Sequence, residues 1–202
     1  MATSVASIID EILEKLRLNA TTPVAIPRSN VLREINNMLR DLAEHTYLFV
    51  KKDDDLWTLS SGTRSYELPP DCFELVRVYD SEEKKLYPIS IEQLEDMSRD
   101  WVDDEGEPDY YILGYESANH ITFYPCPGSD EAGATIGAIY RYYVDDVTDN
   151  AASYLPSPII NNKQLAVNWS LGHLLLSKTE VQDQAAAQAY LNAYYAERGR
   201  WE

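Results

Sequence analysis

The chain has 202 residues, enough for one good core or for a compact domain with a second inserted in it, and at 45% hydrophobic and 25% charged it is composed like a folded protein. Its 34 acidic against 17 basic residues leave a formal net charge of −17, and the basic residues are scattered. That excludes a phosphate-gripping surface, which needs clustered Lys and Arg; the charge then reads either as plain solubility or as a surface that must stay near DNA without holding it.

From Ser4 to Leu18 the apolar residues Val5, Ile8, Ile9, Ile12, Leu13 and Leu16 recur at three and four, which predicts an amphipathic helix. Asp10, Glu11 and Glu14 interrupt the apolar run, so the segment reads neither as a secretion signal nor as a membrane span, and the chain is expected to stay in the cytoplasm in which it is made. Ser29 is a plausible N-cap for a second helix carrying Val31, Leu32, Ile35, Met38, Leu39 and Leu42, and the two apolar stripes are expected to face each other. Near Tyr47 the period changes. Strands are predicted at Leu56–Ser60, Ser65–Leu68, Leu75–Tyr79, Lys85–Pro88, Tyr110–Leu113, Ile121–Tyr124 and Thr135–Val144, the last with Ile136, Ala138, Tyr140 and Tyr142 on one face.

Ser90 and Gln93 form a capping-box pattern ahead of Ile91, Leu94, Met97 and Trp101, so one short helix interrupts the strands, and a solvated acidic loop from Asp103 to Asp109 follows. Asp53, Asp54 and Asp55 read as a charged turn. Pro125 and Pro127 are expected to end the Ile121 strand and shield it from edge pairing. Beyond Leu155 the pattern is helical again, across Asn161 to Ser177 and then, after a second capping box at Thr179 and Gln182, through Ala185, Ala189, Leu191 and Tyr195 to Gly199. The expected fold is α+β: a helical bundle built from N-terminal helices (1–52) and C-terminal helices with a tail (151–202), with a mainly antiparallel β domain (53–150) inserted between them.

Catalytic signatures are missing. The sequence holds no nucleophile elbow, P-loop, dinucleotide fingerprint or HExxH, and with eight glycines it has little material for phosphate cradles. His45, His120 and His173 lie far apart with no Cys or Ser at readable spacing; Cys72 and Cys126 read as reduced, part-buried thiols. The acidic run Asp100, Asp103, Asp104, Glu105, Glu107 and Asp109 lacks EF-hand spacing. No cofactor or metal is called for. A carboxylate-based hydrolase would need two acids with perturbed pKa in one cleft. Arg198, Arg200 and Trp201 are favoured interface residues near the end of the chain, although a Trp folded back on the last helix explains them as well.

The run Tyr66-Glu67-Leu68-Pro69-Pro70-Asp71-Cys72-Phe73-Glu74-Leu75-Val76-Arg77-Val78 resembles the "LP-x-D-hydrophobic" stretch of head-to-tail adaptors of short-tailed phages, also called connector or tail tubular protein A proteins. Later landmarks follow in the same order: Leu86 and Pro88, Trp101, Gly106-Glu107-Pro108-Asp109-Tyr110-Tyr111, Ile121 to Pro127, and the tyrosine-rich stretch Ala138 to Tyr143. The resemblance implies a non-enzymatic virion protein. In that family a dodecameric ring of identical copies sits beneath the portal protein, receives the tail nozzle protein on its other side, and lets DNA pass through its centre without specific binding. It also implies portal docking through Tyr194, Arg198, Arg200 and Trp201, and channel- or tail-facing acids at Asp53, Asp54, Asp55, Asp103, Asp104 and Glu105. The competing reading is an acidic interaction or regulatory module that forms no ring.

Overall fold

The computed structural model describes residues 2–19, 26–177 and 184–201, and the chain divides into a helical unit, 1–49 with 143–202, and a β unit, 50–142. The fold is α+β, with the N- and C-terminal helices flanking the sheet region in sequence.

In the helical unit, α1 (Val5–Asn19) and α2 (Arg28–His45) present the stripes that the spacing predicts: Val5, Ile8, Ile9 and Ile12 from one, Val31, Ile35, Met38 and Leu42 from the other, all fully buried. Their main partner is not each other. Both close chiefly on α4 (Lys163–Ser177), whose residues from Leu165 to Gly172, and then Leu174 and Leu175, are all buried. A helix buried on nearly every side, with few polar residues, belongs at the centre of a bundle. The last helix, α5 (Gln184–Arg198), approaches α4 closely at Gly172, where a Cβ would meet Leu191 at 2.6 Å. α2 starts at Arg28 after extended Pro27 and carries no side-chain cap, so Ser29 is a first-turn residue. The capping box at Thr179 and Gln182 lies outside the described residues.

One carboxylate fastens the end of the chain to α2. Asp41 accepts the Tyr194 hydroxyl at 2.5 Å and Arg198 Nη1 at 3.1 and 3.2 Å, and His45 Nδ1 stands 3.3 Å away. Burial, and then the neighbouring Asp41 charge, push the Tyr194 hydroxyl far above the usual phenol range, so it stays a donor.

The β unit is one seven-stranded sheet in the order β1-β7-β3-β4-β5-β6-β2, with β1 (Val50–Thr58), β2 (Ser65–Glu67), β3 (Cys72–Asp80), β4 (Lys85–Pro88), β5 (Tyr110–Leu113), β6 (His120–Tyr124) and β7 (Thr135–Tyr142). Every pairing is antiparallel except β4 with β5. The sheet curls until its two outer strands meet: Trp57 Nε1 of β1 donates to the Glu67 carbonyl of β2 at 2.8 Å. Inside the curl lie Trp57, Val78, Leu86, Tyr111, Phe123, Ile136, Ala138 and Tyr140, as the alternation of β7 predicts. The capping box at Ser90 and Gln93 starts α3 (Ile91–Met97), and Leu94 and Trp101 cover Ile112 and Tyr124 on the outer face.

Two expectations for this unit change. Asp53 to Asp55 lie within β1 rather than in a turn, because Asp53 pairs with Ala138 and the register shift between Asp53 and Trp57 absorbs the extra residues as a bulge. β6 is flanked by β5 and β2, so Pro125 and Pro127 end the strand but guard no edge. Both cysteines are free; burial pushes the Cys72 thiol up to about 11.

Asp41→Ala strands a buried hydroxyl and a nearly buried guanidinium, and is expected to lower stability by about 3 kcal/mol in urea unfolding followed by helical circular dichroism. In the β unit, a Cβ on Gly137 would meet the Tyr79 ring at 2.7 Å and the Asp53 carbonyl at 2.9 Å. Gly137→Ala should therefore cost about 1–3 kcal/mol, read as a lower thermal midpoint.

Candidate functional site

The acidic stretches picked out in the sequence converge at one rim of the β unit. A groove of about 230 Å3 is lined by Leu59, Asp80, Ser81, Glu82, Glu107, Pro108, Glu131 and Ile136, among others. A second, of about 280 Å3, shares Asp80, Ser81 and Thr135 with it and adds Lys52, Asp54, Asp55, Tyr79 and Glu83. A third, shallower one joins through Glu131 and adds Glu105, Gly106, Gly128, Ser129 and Asp130. Sequence distance hides this meeting: the acids come from β1, from the β3–β4 turn, from the segment before β5 and from the turn before β7.

Each contributing segment is held by its own hydrogen bonds. In the β3–β4 turn, Asp80 Oδ1 accepts the backbone amides of Glu82 and Lys84 at 2.8 and 2.9 Å, and Glu83 takes a positive φ of 63°. The stretch 104–109 is not simply solvated: Cys126 N donates to the Asp104 carbonyl, Gly106 N to the Cys126 carbonyl, and Asp109 N to the Tyr124 carbonyl. It runs as an extension of the sheet beside the end of β6. Tyr124 Oη donates to Asp104 Oδ2 at 2.8 Å, and burial followed by that carboxylate raises the phenol's pKa. Glu131 Oε2 closes its turn by accepting Gly128 N at 2.9 Å.

Two lysines partly offset the rim. Lys84 reaches Asp109 at 2.9 Å and Glu107 at 3.1 Å, which raise its pKa in that order of weight. Lys52 meets Asp54 at 2.8 Å, and with the Tyr79 hydroxyl, also at 2.8 Å, it holds that carboxyl below its usual range. Against these stand ten acids, Asp54, Asp55, Asp80, Glu82, Glu83, Glu105, Glu107, Asp109, Asp130 and Glu131, so the rim is strongly negative. No group of three or more His, Cys, Asp or Glu among the described residues is placed to hold a metal ion. The carboxylates spread along a rim instead of converging on a point. No helix among the described residues is long and apolar enough to cross a membrane.

Of the acids selected from the sequence, Asp54, Asp55 and Glu105 line the rim. Asp53 is half-buried in β1 and accepts the Asp55 amide; Asp104 is tied to Tyr124; Asp103 sits exposed at the end of a single 3-10 turn, Trp101–Asp103, and lines none of the three grooves. Sequence reasoning missed Asp80, Glu82, Glu83, Asp130 and Glu131. The available signal was that both clusters fall in turns, in Asp80-Ser81-Glu82-Glu83 and in Ser129-Asp130-Glu131.

The residues expected to dock on a portal fall into two pairs. Tyr194 is fully buried and Arg198 is only 17% exposed, both bound to Asp41, so these two anchor α5 inside the bundle. Arg200 and Trp201 remain outside, Arg200 paired with Glu197 at 2.7 Å and Trp201 exposed, with its amide donating to the Arg198 carbonyl.

The histidines stay apart in role as in sequence: His45 lies beside Asp41, His173 stacks on Trp169 at 4.2 Å between ring centres, and His120 opens β6. No curated protein matches the chain. The family described as SU10 adaptor protein matches it from residue 3 to residue 200, across both units. The finer likeness to short-tailed-phage connectors is not part of that match. Matched over nearly its whole length, the chain belongs to the SU10 adaptor protein family of phage head-to-tail adaptors.

Proposed function

We propose that this adaptor is a subunit of a closed, dodecameric ring in the virion of a short-tailed phage, joining the portal protein to the tail nozzle protein, with the acidic rim of the β unit facing the path of the DNA. Membership in a family of structural phage adaptors supports the virion role, and such proteins are generally non-enzymatic. The observation that carries the rest is the rim. DNA carries one negative charge per about 1.7 Å of axis, and a wall of the same sign repels it within roughly 8–10 Å at physiological salt. Passing DNA is then neither gripped nor read.

A closed ring needs a heterologous contact that repeats by rotation. At the portal side, Arg200 and Trp201 are the exposed pair of residue types that dominate interface energies, on the tail that follows α5.

Protein mixed with the portal ring of its own phage is expected to be captured in a fixed stoichiometry of twelve by native mass measurement. A chain that stays single and unattached would end the ring reading. Removing Gly199 to Glu202 should weaken capture about tenfold or more. A separate variant tests the rim: Asp55→Asn, Glu82→Gln, Glu105→Gln and Asp130→Asn together remove four charges from positions that bind no other side chain strongly. It should assemble normally but retard linear DNA at low salt, where the unmodified ring does not. Unchanged DNA behaviour in an assembled ring would place the rim away from the DNA path.

A further inference from the structure

After β7 the chain reaches no buried residue until Leu155, yet it does not run free. From Tyr143 to Asp149 it lies extended along α2, joined at steps of four or eight residues on that helix. Tyr143 Oη donates to Glu44 at 2.9 Å. Arg40 Nη2 donates to both oxygens of Asp146, at 2.7 and 3.0 Å. Asn36 pairs both ways with the Val147 backbone, accepting its amide at 2.9 Å and donating to its carbonyl at 3.3 Å. Arg28 forks onto both oxygens of Asp149 at 2.7 Å while also holding Asp10 and the Ala6 carbonyl. Positions 28, 36, 40 and 44 fall on one face because four residues make little more than one helical turn.

The fastening is unlike the rest of the helical unit. α4 is held by apolar burial; the contacts of this segment with α2 include two arginine–aspartate pairs, one phenol and one amide pair. Arg40 and Asp146 are 50% and 57% exposed, Arg28 and Asp149 41% and 27%. A pair as exposed as Arg40–Asp146 is weak and screened by salt, while the forked Arg28–Asp149 pair is the firmer end of the docking. Val144 and Val147 are only half-buried, so lifting the segment uncovers little apolar surface.

We infer that residues 143–149 form a releasable strap, docked on α2 by charge and one amide pair, which lets go without either unit unfolding. Release gives slack to the return connection from β7, while the outward connection stays anchored in the helical unit by buried Thr46 and Phe49. The strap is thus the side on which the β unit's tether can lengthen. This inference does not require the ring.

Amide exchange by NMR on the full chain tests it. The Val147 amide reports docking, because its acceptor is Asn36 Oδ1, and the Leu171 amide inside α4 reports global unfolding. Raising salt from about 0.05 to 0.5 M should speed Val147 exchange about fivefold and leave Leu171 unchanged. Arg40→Gln should give a similar acceleration already at low salt. The inference is overturned if Val147 exchanges only in step with Leu171, if salt and Arg40→Gln leave it unaffected, or if it exchanges at low salt as fast as an unstructured peptide.

Discussion

The helical unit depends on one helix being buried nearly all round. From Leu165 to Leu175 only His173 of α4 is partly exposed, so α1, α2 and α5 must enclose it, and two of these lie more than a hundred residues before it in the chain. A β unit can therefore be set between the halves: burying α4 is worth more than the loop-closure cost of bringing distant segments together, which grows only slowly with loop length. The Asp41 carboxylate adds direction to this non-directional force. By engaging the Tyr194 hydroxyl and Arg198, it fixes the rotation of α5 on a surface where alanines alone would slide.

Much of this was legible. Period three-and-four marked α1, α2 and α4; period two marked β7; Ser90 with Gln93 marked the start of α3. What failed did so for physical reasons. Three consecutive aspartates look like a turn, but pairing with β7 overrides their low strand propensity and a bulge takes the misfit. The burial of Tyr194 was not legible, since nothing in α5 reveals that a carboxylate on α2 would accept its hydroxyl. The rim was half legible. Acids at 54, 55 and 105 stood out because they are clustered in sequence, whereas Asp80 and Glu131 became visible only when the turns that carry them were brought side by side.

Charge in this protein is organised for two opposite ends. In the helical unit, acids meet arginines and lysines: Asp10 and Asp149 with Arg28, Glu11 with Lys163 and Lys15, Asp146 with Arg40. On the rim of the β unit, acids outnumber bases, and many are turned toward grooves instead of toward partners. The rim is accordingly a field, shaped by the placement of backbone turns.

The single parallel pairing in the sheet constrains how that field can vary. Strands running the same way cannot be joined by a tight turn, so the chain between β4 and β5 must travel back along the sheet, and it does so through α3 and then through residues 104–109. The acid-bearing stretch is thus the homeward leg of an obligatory crossover. Shortening it would unzip Tyr87 from Tyr110, whereas the hairpin tip between Gly114 and Asn119 can be trimmed or extended at no such topological penalty.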